Sequence, residues 1–351
     1  MTIAVIYLAR AAEGFDAIHK FATSYATASA GIDHDLIVVC KGYPNDSALQ
    51  EVRACFSQPA QIISIPDDGF DIGAYMVAAS RLPHDFLVFF NTFSEIIAPN
   101  NWLGIMERQL RLPGIGIVGT MGSFESVRDT VDFVAKACWL CLVKGIPFDQ
   151  RLADQFEAIF LIYAKEWITR SWTSRLRSWT LPLRVTDDGS LSLWRQHWKK
   201  VTGYQGDLGG WLERFPRFPN PHIRSNAFGI RRAIFQRLVS DPPLTKESCM
   251  LFESGEDGYT RRIRRLGLEP LVVNRYGHHY SAADWAKSNT FRLGTQDGLI
   301  VSDNQTRRFD AMPAGSRLMH SRVTWGDYDD ERVKEDFLDL GFSFGRRSPL
   351  W

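Results

Sequence analysis

Residues 85–95 read DFLVFFNTFSE, five consecutive apolar residues (Phe86 to Phe90) that stop abruptly at small polar groups. An uninterrupted apolar run of this length needs cover on both faces, which is the situation of a central strand in a parallel sheet. The strand then delivers Asn91, Thr92 and Ser94 to its carboxyl end, and in open α/β sheets that edge is where ligands bind. The run therefore predicts both a fold class and a place for chemistry.

The flanking sequence repeats the pattern. Candidate strands lie at 3–8, 35–40, 61–65, 86–90 and 116–119, with helical stretches between them at 15–28, 46–57, 72–82 and 102–110. The second helix opens on an Asn45/Asp46/Ser47 cap signal. This alternation predicts an α/β domain with a mostly parallel, Rossmann-like central sheet and helices on both faces. A G-x-G-x-x-G fingerprint after the first strand would mark a dinucleotide-binding dehydrogenase, but YLARAAEG stands there instead.

Composition narrows the function classes. The 351 residues carry 41 basic and 40 acidic side chains, a net charge of +1, so no global field draws the chain to nucleic acid. The opening MTIAVIYLARAAEG lacks a basic leader and reads as a first strand, which makes cytoplasmic residence the expectation. Five scattered cysteines fit reduced thiols. Cys138 and Cys141 have redox or zinc spacing but no second pair, and their apolar surroundings favour buried structural thiols.

From about 146 to 215 the character changes. Trp167, Trp172, Trp179, Trp194, Trp198 and Trp211 stand among basic residues, and 165–200 holds eight bases against three acids. This predicts a helical Trp-rich insertion. Its tryptophans either pack inward or form a basic aromatic face for peripheral contact with a membrane or a lipid-linked acceptor. Beyond it, 223–230 predicts a strand, 253–255 a loop leading into a helix that ends at Gly267, and 269–273 a further strand. The segment after about 289 is polar and predicts an irregular tail wrapping the core. The division expected is 1–145, 146–215, 216–290 and 291–351.

Two acidic loops carry candidate chemistry. In IPDDGFDIGAY, Asp71 beside Gly73 at a helix start either caps that helix or holds ribose, sugar or base, and both roles are compatible. In ESGEDGY, Glu256 and Asp257 at the mouth of a helix either favour its N-terminus electrostatically or mount a general base.

Taken in order, DIGAY, FFNTFSE, HIRSNAF and ESGEDGY make the chain resemble the GT-A glycosyltransferase-like proteins of bacterial surface-polysaccharide clusters, in particular the rhamnan-synthesis type. The resemblance covers 1–125 and 216–285. It implies a nucleotide-sugar donor (UDP-, GDP- or dTDP-sugar), a glycan or lipid-linked glycan acceptor, and inverting transfer with Asp257, or Glu256, as base. It implies donor contacts from Asp71, Gly73, Asn91, Thr92, Ser94, Arg224, His278 and His279, and acceptor contacts from His222 and Asn226. In that family the strand equivalent to 86–90 ends in an Asp-x-Asp motif that binds Mn or Mg. Here the acids are replaced by Asn, Thr and Ser, which leaves three expectations: Mn or Mg is held by other residues, Arg and His neutralise the leaving diphosphate in a metal-poor mechanism, or the chain is a glycan-binding module that has lost catalysis.

Overall fold

The computed structural model describes residues 2–134, 208–238 and 243–326. Its first half alternates as expected: β1 (Ile3–Arg10), α1 (Phe15–Thr27), β2 (Asp35–Lys41), α2 (Asp46–Ala54), β3 (Ala60–Ile65), α3 (Phe70–Arg81), β4 (Phe86–Phe90), β5 (Glu95–Ile96), α4 (Trp102–Leu110), β6 (Ile115–Gly119) and β7 (Gly122–Ser123). A helical segment over 127–134 follows. The second half adds α5 (Leu208–Glu213), β8 (His222–Ile223), β9 (Ala227–Arg231), α6 (Arg232–Leu238), α7 (Lys246–Ser254), α8 (Tyr259–Arg265), β10 (Glu269–Val273), β11 (His279–Tyr280), β12 (Val301–Ser302), α9 (Asn304–Asp310) and α10 (Ala314–Trp325).

The main sheet has eight strands in the order β11-β10-β6-β9-β4-β1-β2-β3. β3, β2, β1 and β4 are parallel neighbours, while β9 runs antiparallel between β4 and β6, and β11 antiparallel to β10. The sheet is thus mostly parallel. Residues from both halves of the chain share it, because β9 is inserted between two strands of the first half.

β4 shows why the 86–90 run is apolar throughout. Successive side chains point to opposite faces, so Leu87 and Phe89 enter one core while Phe86, Val88 and Phe90 enter the other. Phe89 lies 4.6 Å from the Tyr75 ring, 5.2 Å from Phe228 and 5.1 Å from Phe235. Phe90 meets Phe21 and Trp102, each at 5.6 Å. Helices α3, α6, α7 and α8 therefore cover one face, and α1, α2 and α4 the other. Removing a ring such as Phe89 from this packing costs about 3–5 kcal/mol.

Three local expectations are corrected. The single strand at 223–230 is split into β8 and β9 by a turn at 224–226, since Ile223 pairs with Gly122 while Ala227 pairs with Phe90. As far as it is described, to residue 326, the tail is not irregular throughout. β12 pairs with β5, a capping box of Asp303 and Thr306 starts α9, and Phe291, Leu299, Phe309 and Trp325 are core side chains. Asp71 is not the cap of α3, because the helix begins at Phe70 and its cap is Gly69, held left-handed at φ 71°. The Trp-rich insertion, apart from its last residues including α5, lies outside the described residues, as do Cys138 and Cys141. Among the described residues no helix is long and apolar enough to cross a membrane.

Candidate functional site

The strand order reverses direction of growth beside β1: β2 lies on one flank and β4 on the other. A crevice at the carboxyl ends of these strands is the expected ligand position in such a sheet. The reversed strand β9 contributes to the same edge, because an antiparallel neighbour of β4 starts where β4 ends. The turn at 224–226 is thereby set directly against Asn91. The Asn91 N–H donates to Asn226 O at 2.8 Å, and Ser94 Oγ lies 3.2 Å from the same carbonyl.

Asn91 is committed locally. Its Oδ1 accepts from the Phe93 N–H (3.1 Å) and from Ser94 Oγ (2.9 Å), which folds the residues after β4 into a tight polar turn. Thr92 is buried, and its carbonyl accepts from the Tyr7 hydroxyl at 2.9 Å. Asn226 is 5% exposed, and its Oδ1 has no hydrogen-bond partner among the described residues. A buried acceptor left open in this way is costly unless something donates to it.

Beside this turn stands a carboxylate cluster. Ser225 Oγ donates to Asp71 Oδ2 at 3.2 Å, and the Ser225 N–H donates to Glu253 Oε1 at 3.0 Å. Three segments distant in sequence (the start of α3, the β8–β9 turn and the last turn of α7) therefore meet on one residue. Burial works to raise the Glu253 carboxyl, but the Arg224 charge and the Ser225 N–H outweigh it, so Glu253 is held below the usual carboxylate range. Glu253 is absent from the sequence expectation, which placed it in a loop. Two buried tyrosines underpin the turn, Tyr75 donating to Ser225 O (3.4 Å) and Tyr259 to Ile223 O (2.5 Å).

A second polar group, also unanticipated, occupies the ends of β1 and β2. The Arg10 guanidinium forks onto both oxygens of Asp67 at 2.9 and 3.1 Å. The Lys41 ammonium, 2% exposed, donates to Phe70 O at 2.9 Å and lies 3.6 Å from Asp67 Oδ1. Burial lowers the Lys41 pKa, and the hydrogen bond from Arg10 leads the causes that lower that of Asp67. This clamp fixes the loop that presents Asp71.

Arg224 lies 3.5 Å from Glu253, donates to Gln305 at 3.0 Å and stacks over Phe291. His222 is buried, with its Nδ1 2.8 Å from Asn220 O, and burial pushes its pKa down to about 4, so the ring is neutral at physiological pH. Gly73 is buried inside α3, where an added Cβ would make only ordinary contact with Pro243 O at 3.7 Å. Glu256 and Asp257 are exposed. Asp257 accepts from Arg262 (2.6 Å) and Arg265 (2.5 Å), and Glu256 lies 3.3 Å from Arg261. Burial works to raise Asp257, but the two arginines outweigh it and its pKa is lowered.

His278 and His279 follow β10 at the outer margin of the sheet. β11 is four strands from β4, about 19 Å at the usual inter-strand spacing of about 4.8 Å. His279 lines a separate groove of about 480 Å³ with Leu112, Ile115, Leu271 and Tyr280. The structure brings Asp71, Asn91, Ser94, Arg224 and Asn226 together around Ser225 and Glu253, and leaves the two histidines apart from them.

Among the described residues, the end of β4 itself offers a poor donor set for Mn or Mg. At the end of β4 the side-chain oxygens are neutral, and the nearby Glu95 lies 3.4 Å from Arg307. Among the described residues no group of three or more His, Cys, Asp or Glu side chains is placed to hold a metal ion.

No protein-family model matches the chain, and no curated protein does. Solved structures with a likeness to it include the mannosyltransferase PcManGT from Pyrobaculum calidifontis in complex with GDP-Man and Mn2+, at 14% identity and a TM-score of 0.30 over 34% of this chain and 35% of that one. S. aureus TarS is similar at 16% identity and a TM-score of 0.26, over 34% of this chain and 22% of that one. TarS in complex with UDP-GlcNAc is similar at 13% identity and a TM-score of 0.26, over 34% of each chain. The chain therefore spans about a third or less of the length of the solved structures it matches.

Proposed function

We propose that the chain is a GT-A-type glycosyltransferase that moves a sugar from a nucleotide-sugar donor to a glycan or lipid-linked glycan acceptor in surface-polysaccharide synthesis. The observation that carries this reading is the Asp71–Ser225–Glu253 junction beside Asn91 and Asn226, at the carboxyl edge where the sheet reverses. Asp71 presents a carboxylate suited to ribose or base donors, in a loop fixed by Arg10 and Lys41. Arg224 offers charge to the leaving diphosphate, with no step routed through a metal. In the transfer, the acceptor oxygen bonds to the anomeric carbon from the face opposite the diphosphate. The carbon–oxygen bond to the diphosphate breaks, and the acceptor proton passes to a carboxylate.

Asp257 remains the proposed base. Its two arginine partners hold it ionised, and the acceptor hydroxyl takes the place of one of them. Glu253 is a positioning residue in this scheme, since it holds the Ser225 backbone rather than reaching a reacting atom. Peripheral membrane contact through 146–215 belongs to the same reading, as the means of reaching a lipid-linked acceptor. Incubation with UDP-, GDP- and dTDP-sugars and detection of released nucleotide tests it. Nucleotide release from one donor, lost in Asp257→Asn, is expected, and no release from any donor opposes it.

A second reading is favoured by two observations, the arginine clamp on Asp257 and the neutral end of β4. On that reading the chain is a glycosyltransferase-like module that binds glycan without transferring it. Donor binding without turnover, unchanged by Asp257→Asn, would identify it.

A further inference from the structure

Arg292 plays no part in the function as read from the sequence, yet it is a buried cation held from several sides. It is 4% exposed and adopts a left-handed backbone at φ 48°. A non-glycine residue pays for that conformation only where its surroundings over-determine it, and such residues gather at functional sites. Its guanidinium lies 3.3 Å from Glu125 and stacks over the Phe291 ring at 4.9 Å. Arg224 stacks over the same ring at 5.1 Å. Both guanidiniums then converge on one atom: Gln305 Oε1 accepts from Arg224 Nη2 at 3.0 Å and from Arg292 Nη2 at 3.3 Å.

Two cations directed at a single neutral oxygen is an arrangement better satisfied by an anionic oxygen, because hydrogen bonds from guanidinium to an ionised acceptor are shorter and about twice as strong as those to a neutral one. Gln305 is partly exposed at the start of α9, so its amide can swing away. Glu253 and Glu125 neutralise the far sides of the two arginines, which keeps the pair close together without a ligand.

We propose that Arg224 and Arg292 form a phosphate-class anion subsite in which Gln305 Oε1 holds the place of a phosphate oxygen. The glycosyltransferase reading enters only in naming the natural ligand, the diphosphate of a nucleotide sugar. Arg224 stands next to Ser225, the residue bonded to Asp71, which puts the subsite beside the Asp71 junction.

The test is calorimetric titration of the full chain with inorganic pyrophosphate, and separately with UDP and GDP, at low salt, on four proteins with melting temperatures recorded for each. The wild type binds pyrophosphate. Arg224→Gln weakens it about tenfold or more. Gln305→Glu, which supplies an internal carboxylate at the convergence point, weakens it similarly while folding normally. Gln305→Ala, which clears that point, binds at least as tightly as the wild type. A purely structural role for Gln305 gives the reverse order, with the alanine variant the more damaged. Absence of pyrophosphate binding in the wild type, or unaltered binding in Gln305→Glu, overturns the subsite. The two readings fail separately: pyrophosphate binding with this pattern but no nucleotide or nucleotide-sugar binding removes the glycosyltransferase reading alone. Nucleotide binding indifferent to Arg224 and Gln305 removes the subsite alone.

Discussion

The Ser225 hydroxyl donates to Asp71 Oδ2 at 3.2 Å across a sequence separation of 154 residues, and this bond ties the β8–β9 turn to the start of α3. Both partners sit at the carboxyl edge of the sheet, near the point where the strand order reverses. A hydrogen bond to an ionised group contributes about 1.5–3 kcal/mol, so the junction is strong enough to hold two loops in register and weak enough for a ligand hydroxyl to compete for Asp71.

Asp71→Ala is expected to weaken nucleotide binding about tenfold to a hundredfold, corresponding to loss of one or two charge-assisted hydrogen bonds. Ser225→Ala is expected to weaken it by less, since Asp71 keeps its position through the Arg10 and Lys41 clamp on its loop. Titration calorimetry on both variants, with the melting temperature as a control for folding, separates the two effects.

Asp257→Asn is expected to leave stability within about 1 kcal/mol, because its pairs with Arg262 and Arg265 are solvent-exposed and such pairs contribute little. The same substitution is expected to abolish transfer while donor affinity stays as in the wild type. A variant that keeps its turnover removes Asp257 from the chemistry.

Gly69→Ala is expected to destabilise the fold by about 1–2 kcal/mol, the cost of placing a side chain in the left-handed region. The added Cβ also comes within 3.2 Å of Gly73 Cα and 3.4 Å of Pro243 O. Because Gly69 caps α3 two residues before Asp71, nucleotide affinity falls as well. A lowered denaturant midpoint at unchanged slope, together with weaker binding, checks both parts.

His222 gives the fold an acid sensitivity of definite sign. Burial lowers its folded pKa from 6.5 to about 4, so below pH 6.5 the unfolded chain takes up a proton that the folded chain refuses. Stability present above that pH is lost as pH falls towards 4, by at most about 3 kcal/mol from this group, with no further loss from His222 below it. Denaturant titrations at pH 7, 5.5 and 4.5 should show a smaller decline for His222→Gln than for the wild type. Equal declines would mean that the ring titrates normally.

The legibility of this molecule in its sequence follows from what periodicity encodes. Phe86 to Phe90 revealed β4 because both faces of the strand needed apolar cover, and the same logic located β1, β2, β3 and β6 within a residue or two. Direction is not encoded in this way. Residues 223–230 read as one strand since the turn at 224–226 carries no proline or glycine, and the antiparallel insertion of β9 emerged only from pairing. Lys41 carried a usable signal, a charge at the end of the VVCK run, the reading already given to Asn91. Glu253 carried another: Thr245 and Ser248 form a capping box that starts α7, placing Glu253 in its last turn beside the buried Phe252. Glu256 and Asp257 drew attention as an adjacent acid pair, yet the placing of Glu253 at the junction depends on contacts far apart in the chain. The tail concealed its helices because polar residues cap and solvate them, while its core contacts are spaced too irregularly to register.

The central claim is that a nucleotide-sugar donor binds at the carboxyl edge of β1 and β4, with Asp71 in contact. Titrating the wild type and Asp71→Ala with UDP-, GDP- and dTDP-sugars tests it most directly. One donor is expected to bind the wild type, and Asp71→Ala to weaken that binding about tenfold or more. Failure of every donor to bind, or binding that Asp71→Ala leaves unchanged, would contradict it.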